Sequence, residues 1–286
     1  MKKLEYKILT PNDSKYPKKL IQRLGANCPE NIYYRGPLKF LDKFTMSTIS
    51  SDSIHGEGVR LSHQLLFVIR EYAMNYLSPS HSVMETEIFR LGLWKKCKNT
   101  VSLFSVKGLA KESYDSFLQA RFIPPFQYFP EREEYMTRAR NNELLMLSMV
   151  EPTLNRHIRQ NILERNFITC CLGDIIFIPH GPKKSKTYEI AKRAVELKLP
   201  LFTIDAPSEV KDLLDLGIPG FNRKNIRKFL EEKGAPLMSK EEPVTILYQE
   251  EKIIKTEEKP IETPPTDSET EQFLFEFPKF KNNKLS

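Results

Sequence analysis

The sequence predicts an α/β fold, a Rossmann-like, doubly wound parallel sheet with helices on both faces, preceded by a short N-terminal extension and followed by a disordered C-terminal tail. Three observations predict it. Residues 173 to 205 read as strand, loop, helix and strand within about thirty residues, the βαβ unit whose crossover requires a parallel sheet under a helical cover. Strand-like and helical stretches alternate through the residues before it. Apolar periodicity then ends sharply near Met238. The expected division is an extension at 1–43, a Rossmann-like domain at 44–238 and an acidic tail at 239–286.

The elements follow in order. TMSTIS at 45–50 is short, β-branched and bounded by turn residues, which predicts a strand. It feeds a helix over 58–77, with Val59, Leu65, Leu66, Ile69 and Tyr76 at helical spacing. MNYLSPSHSVM makes a poor second strand and EIFRLGLWKKC a short helix. NTVSLFSV at 99–106 is a good third strand. EYMTRARNNELLMLSMV at 134–150 reads as one amphipathic helix. GDIIFIP is a buried strand, TYEIAKRAVELK a helix with Ile190, Ala191, Ala194, Val195 and Leu197 inward, and PLFTID another strand. Two terminal helices, SEVKDLLDLG and NRKNIRKFLEEKG, each end at a glycine suited to a left-handed cap.

Composition narrows the function. The chain of 286 residues has 44 lysines and arginines against 37 acids, a net charge of +7. The tail holds eleven acids and seven lysines, so it carries −4 and residues 1–238 carry +11. That distribution suits a polyanion partner. Only 11 glycines disfavour repeated tight approaches to phosphate. The longest apolar runs, such as LLMLSMV, fall far short of the ~18 residues of a spanning helix, and the first residues, with Glu5 and no apolar stretch, do not read as a signal peptide. A cytoplasmic protein with no membrane contact is expected. Cys28, Cys97, Cys170 and Cys171 lack the spacing of a disulfide framework or a zinc site, and the adjacent pair reads as packing at a helix end.

In doubly wound sheets ligands bind at loops beyond the carboxyl ends of strands. The loop after IIFIP carries Lys183, Lys184, Ser185, Lys186 and Thr187 at a helix start, where amides, hydroxyls and cations suit a phosphate. It lacks the spacing of a P-loop, and Ser185 alternatively serves as a helix cap. A second run, LNRHIRQNILERNF, supplies Arg156, Arg159, Arg165 and Asn166, whose forks and amides bind phosphate oxygens and base edges. Phe126, Tyr128, Phe129, Tyr135 and Phe167 lie near in sequence, either as stacking platforms for bases or as core. The histidines are scattered, the EREE run at 131–134 reads as a solvated face, and no catalytic set stands out. Neither a cofactor nor a metal is expected. The aromatic FLFEFPKF close of the tail suggests a docking peptide.

Four blocks in register resemble the DNA-processing protein A family (DprA, also called Smf). YPKKLIQRLGANCPENIYYRG at 16–36 is similar to its N-terminal lead-in, NTVSLFSVKGL to its third-strand block with a Gly-Leu turn, ERNFITCCLGDIIFIP to its Arg-Asn-Arg helix, and GPKKSKTYEIAKRA to its Ser-Gly-Ser/Thr loop and following helix. The resemblance spans residues 16 to 221. It implies a Rossmann-like fold, single-stranded DNA binding, homodimerisation and delivery of DNA to a RecA-type recombinase during transformation, without catalysis. Matched by residue, it places DNA contacts at Arg165, Asn166, Ser185 and Thr187, with Lys186 where the family has glycine and Phe167 where it has a second arginine. Lys107 and Lys111 flank the Gly108-Leu109 turn and are expected to face DNA. The first half-site departs: Ser50, Ser51 and Asp52 stand where the family has Gly-Ser-Arg, so a cation has become an anion. SHSVMETEIF replaces a glycine-rich block. Two other readings stay open, a nucleotide-binding enzyme or sensor and a scaffold that has lost its ligand.

Overall fold

Nine strands form one sheet in the computed structural model, which describes residues 5–94, 99–121 and 129–238. The strands are β1 (Lys7–Leu9), β2 (Ile32–Arg35), β3 (Thr45–Thr48), β4 (Asn75–Ser78), β5 (Thr100–Phe104), β6 (Leu144–Ser148), β7 (Ile175–Phe177), β8 (Leu201–Ile204) and β9 (Gly220–Phe221). Their order is β1-β2-β6-β5-β4-β3-β7-β8-β9. From β6 to β9 every pairing is parallel, and β1 and β2 add on antiparallel beside β6. The expected doubly wound sheet is therefore present. The helices are α1 (Lys18–Leu24), α2 (Gly56–Ile69), α3 (Val83–Leu93), α4 (Tyr114–Gln119), α5 (Arg132–Arg140), α6 (Arg159–Leu172), α7 (Lys186–Glu196), α8 (Pro207–Asp215) and α9 (Ile226–Glu232).

Two expectations are corrected. The helix expected over 134–150 is α5 followed by β6. Asn142 takes φ 60° at the turn between them, a left-handed conformation that asparagine tolerates. Leu144–Ser148 is buried throughout because β6 lies inside the sheet, between β5 and β2, with both faces covered. A short apolar run buried on both faces has no period of two to distinguish it from helix. The helix expected to reach Leu77 ends at Ile69, and Tyr76 sits in β4, paired with Met46 of β3 and Val101 of β5. The strands expected at 45–50, 99–106, 173–179 and 200–205 and the last two helices are present, and Gly217 and Gly234 take φ 82° and 76° beyond α8 and α9.

Residues ahead of β3 are tied to the sheet by specific cations. Arg23 on α1 donates from Nη1 to the carbonyls of Cys171 (2.8 Å) and Gly173 (2.6 Å), satisfying acceptors left open at the C-terminus of α6. Lys19 pairs with Asp174 at 2.6 Å, and the same carboxylate accepts from the Thr45 amide. Arg35 donates to the carbonyls of Glu5, Leu109 and Glu112, so it clasps β1 to the turn after β5. Buried residues of α6, α7 and the central strands share one core cluster, and Cys170 and Cys171 are fully buried in it. Cys97, Phe126, Tyr128 and the tail at 239–286, including FLFEFPKF, lie outside the described residues.

Candidate functional site

The chain leaves β3 and β7, which are neighbours, in opposite directions along the sheet: β3 leads through α2 to β4, and β7 through α7 to β8. Their loops diverge at this switch point and leave a crevice beyond the carboxyl ends. The crevice holds about 360 Å³ and is lined by Ser50, Asp52, Glu85, Arg165, Asn166 and the Ser185-Lys186-Thr187 start of α7, with His81 and His157 beside them.

Each wall has a local cause. Ser185 is the N-cap of α7, and its hydroxyl accepts from the Tyr188 amide at 3.1 Å. The capping role left open by the sequence is thus occupied, while the hydroxyl still borders the crevice. The amides of Lys186 and Thr187 find no acceptor among the described residues, as expected for the first turn of a helix. Ser51 donates its amide to the His180 carbonyl at 2.9 Å, joining the two switch-point loops.

Glu85 was not foreseen as part of this site. It is 2 % exposed, and its carboxylate accepts from the amides of Ser50 (2.9 Å), His81 (2.8 Å) and Ser82 (3.3 Å). With Ser82 it forms a capping box at the start of α3, a Ser-x-x-Glu spacing legible in the sequence. Burial pushes its carboxyl above the usual range, against the hydrogen bonds and Arg165. Glu85 therefore holds the loop after β3 against the loop after β4.

Arg165 is 3 % exposed, yet its Nε reaches only Asn166 Oδ1, at 3.0 Å, and its Nη1 has no hydrogen-bond partner. Burial lowers its guanidinium from 12.5 to about 10, with Glu85 opposing the shift. The group stays charged at neutral pH. Arg165 is thus a buried cation that borders the crevice, with Glu85 as its nearest counter-charge. His81 stands next to it. Desolvation, then the charges of Arg121, Arg165 and His157, hold its imidazole far below the ordinary value, so it is neutral here. Arg121 is committed to structure, donating to the carbonyls of Pro79 and Phe117 and lying 3.2 Å from the Phe117 ring. Desolvation also raises the carboxyl of Asp52 at the mouth.

Of the residues selected from sequence, Arg165, Asn166, Ser185, Lys186 and Thr187 come together in the crevice. Lys183, Lys184 and Arg156 on the loops leading into α7 and α6, and Arg159 at the first position of α6, are exposed and do not line it, nor do Lys107 and Lys111 on the turn after β5. Tyr135 and Phe167 are core, and Phe129 stacks on Phe89 at 5.7 Å, so the described aromatics named with them form no open stacking platform. The EREE run is not a free solvated face either: Glu131 pairs with Arg90 and Glu134 with Arg138. Among the described residues no group of three His, Cys, Asp or Glu side chains could hold a metal, and no helix is long and apolar enough to cross a membrane.

Sheet order and crevice define a doubly wound Rossmann-like protein with a polar, charged crevice at its switch point. Two solved structures of DNA processing protein A share this fold. The protein from Streptococcus pneumoniae matches with a TM-score of 0.61 at 15 % identity, over 78 % of this chain and 74 % of that one. The protein from Helicobacter pylori, in a structure concerned with its single-stranded DNA binding mode, matches with a TM-score of 0.58 at 21 % identity, over 80 % and 97 %. The DprA resemblance read from the four sequence blocks is thus met by the fold. No protein-family model and no curated protein matches the chain.

Proposed function

We propose that this chain is a cytoplasmic single-stranded-DNA-binding protein of the DprA type, a binding protein and not an enzyme. The carrying observation is the buried Arg165 with its unpartnered Nη1, set beside the free amides at the start of α7. In this reading a backbone phosphate takes that donor, the amides of Lys186 and Thr187 and the Asn166 carboxamide. Lys107, Lys111, Arg156, Arg159, Lys183 and Lys184 continue the contact with neighbouring phosphates outside the crevice. The protein works as a homodimer and passes the strand to a RecA-type recombinase in DNA uptake and recombination. The shared fold of the two DprA structures supports the reading.

A titration with single-stranded oligonucleotide at two salt concentrations tests it. Affinity falls steeply as salt rises, and Lys186→Glu weakens binding at low salt. Absence of retention at low salt refutes it. The carboxylates of Asp52 and Glu85 at the crevice favour a second reading, a small-nucleotide site: displacement of the oligonucleotide by millimolar mononucleotide would select that one.

A further inference from the structure

The crevice accounts for little of the chain's positive charge, since Asp52 and Glu85 stand there with Arg165 and Lys186. Residues 1–43 hold ten lysines and arginines against four acids, so +6 of the +11 in residues 1–238 lies ahead of β3. Five of these lysines, Lys7, Lys15, Lys18, Lys19 and Lys39, surround a second cavity of about 730 Å³. Its floor includes Leu41 and Leu172, and Tyr34 stands half-buried in its wall.

Only Lys19 has a carboxylate partner, Asp174. Lys7, Lys15, Lys18 and Lys39 have none within 4.0 Å among the described residues, and Asp42 is the one acid lining the cavity. Four ammonium groups around one hollow, none neutralised by a carboxylate, present a positive surface to a polyanion.

Its position separates it from the crevice. β2 runs antiparallel to β6, so Gly36, just past β2, meets Leu144 at the amino end of β6. Leu172 likewise ends α6 just ahead of β7. The cavity thus lies at the amino ends of the parallel strands, across the sheet from the crevice.

We propose that this lysine-lined cavity is a second nucleic-acid contact, holding the phosphodiester backbone of a single strand. Lysines act as point charges that follow phosphates without reading bases. A lipid surface fits less well, because none of the exposed large apolar side chains among the described residues lines the cavity.

The test uses the full chain, a single strand of about 30 nucleotides, long enough to exceed one binding module, and several salt concentrations. Lys7, Lys15, Lys18 and Lys39 are exposed, so the quadruple alanine variant keeps its unfolding midpoint. At roughly 0.7 in log–log salt slope per phosphate contact on a single strand, the variant loses up to about 3 in slope. An unchanged slope overturns the proposal. So does unchanged strand binding by a variant that no longer binds vesicles containing anionic lipid. Lys186→Glu, measured in parallel, reports on the crevice alone, so failure of one site is distinguishable from failure of the other.

Discussion

Replacing Arg165 by methionine separates stability from ligand binding in this fold. The guanidinium falls from 12.5 to about 10 through burial. At 1.36 kcal/mol per unit, keeping the charge inside costs about 3 kcal/mol. The penalty belongs to the charged form, so it applies in full at every pH below about 10. Methionine fills similar space without charge. It forfeits the hydrogen bond to Asn166, worth about 1.5 kcal/mol at the low end for a charged donor, and leaves Glu85 without a nearby cation. The net expectation is a gain of about 1 kcal/mol, read as a higher urea midpoint at pH 7 without anions. Oligonucleotide at 100 times its Kd adds about 2.7 kcal/mol to the wild type and none through this site to Arg165→Met. A variant at least 1 kcal/mol less stable than wild type without ligand refutes the reasoning, since the buried guanidinium would then be held by the fold instead of reserved for a ligand.

Gly108→Ala should destabilise by about 1–3 kcal/mol in urea unfolding, because a Cβ there runs into the backbone carbonyls of Glu151 and Pro152, which cannot swing aside like a side chain. Asp52→Asn removes an acid from the crevice mouth and should tighten oligonucleotide binding several-fold at low salt, an effect that fades at high salt. His81 is held below its ordinary 6.5, so the unfolded chain takes up the proton first. Its contribution to stability is present above pH 6.5 and declines as the pH falls below it. His81→Gln should flatten the fall of the urea midpoint between pH 6.5 and 5; an unaltered slope shows that other groups govern it.

Much of the architecture was legible because particular runs are unambiguous. Residues 173 to 205 form the expected crossover unit, and α7 buries Ile190, Ala191 and Ala194 on the side that its spacing indicates, whereas Val195 is half-buried and Leu197, expected inward, is exposed at the end of the helix. Leu144–Ser148 is a strand where the pattern suggests helix, because a strand buried on both faces has the same apolar content as a buried helical turn; the break lies at the Asn141-Asn142 turn ahead of it. Arg165, Asn166 and the Ser185-Lys186-Thr187 start were legible as chemistry. Their meeting with Asp52 and Glu85 was not, since the loops after β3 and β4 reach the crevice only through the order of the sheet. Glu85 carried a capping signal, and nothing local could tell that its carboxylate also reaches the Ser50 amide, 35 residues earlier.

The sequence by itself determined the alternation of strand and helix outside β4 and β6, where the charge lies along the chain and which residue types are fit to hold phosphate, because those depend on short-range periodicity and composition. Only the tertiary structure decided that the first 43 residues extend the same sheet and gather their lysines at its amino edge, that the aromatics Tyr135 and Phe167 are core, and that Arg165 is buried with a donor unused. Burial and convergence are set by strand order and by contacts between residues far apart in sequence, which no local pattern encodes.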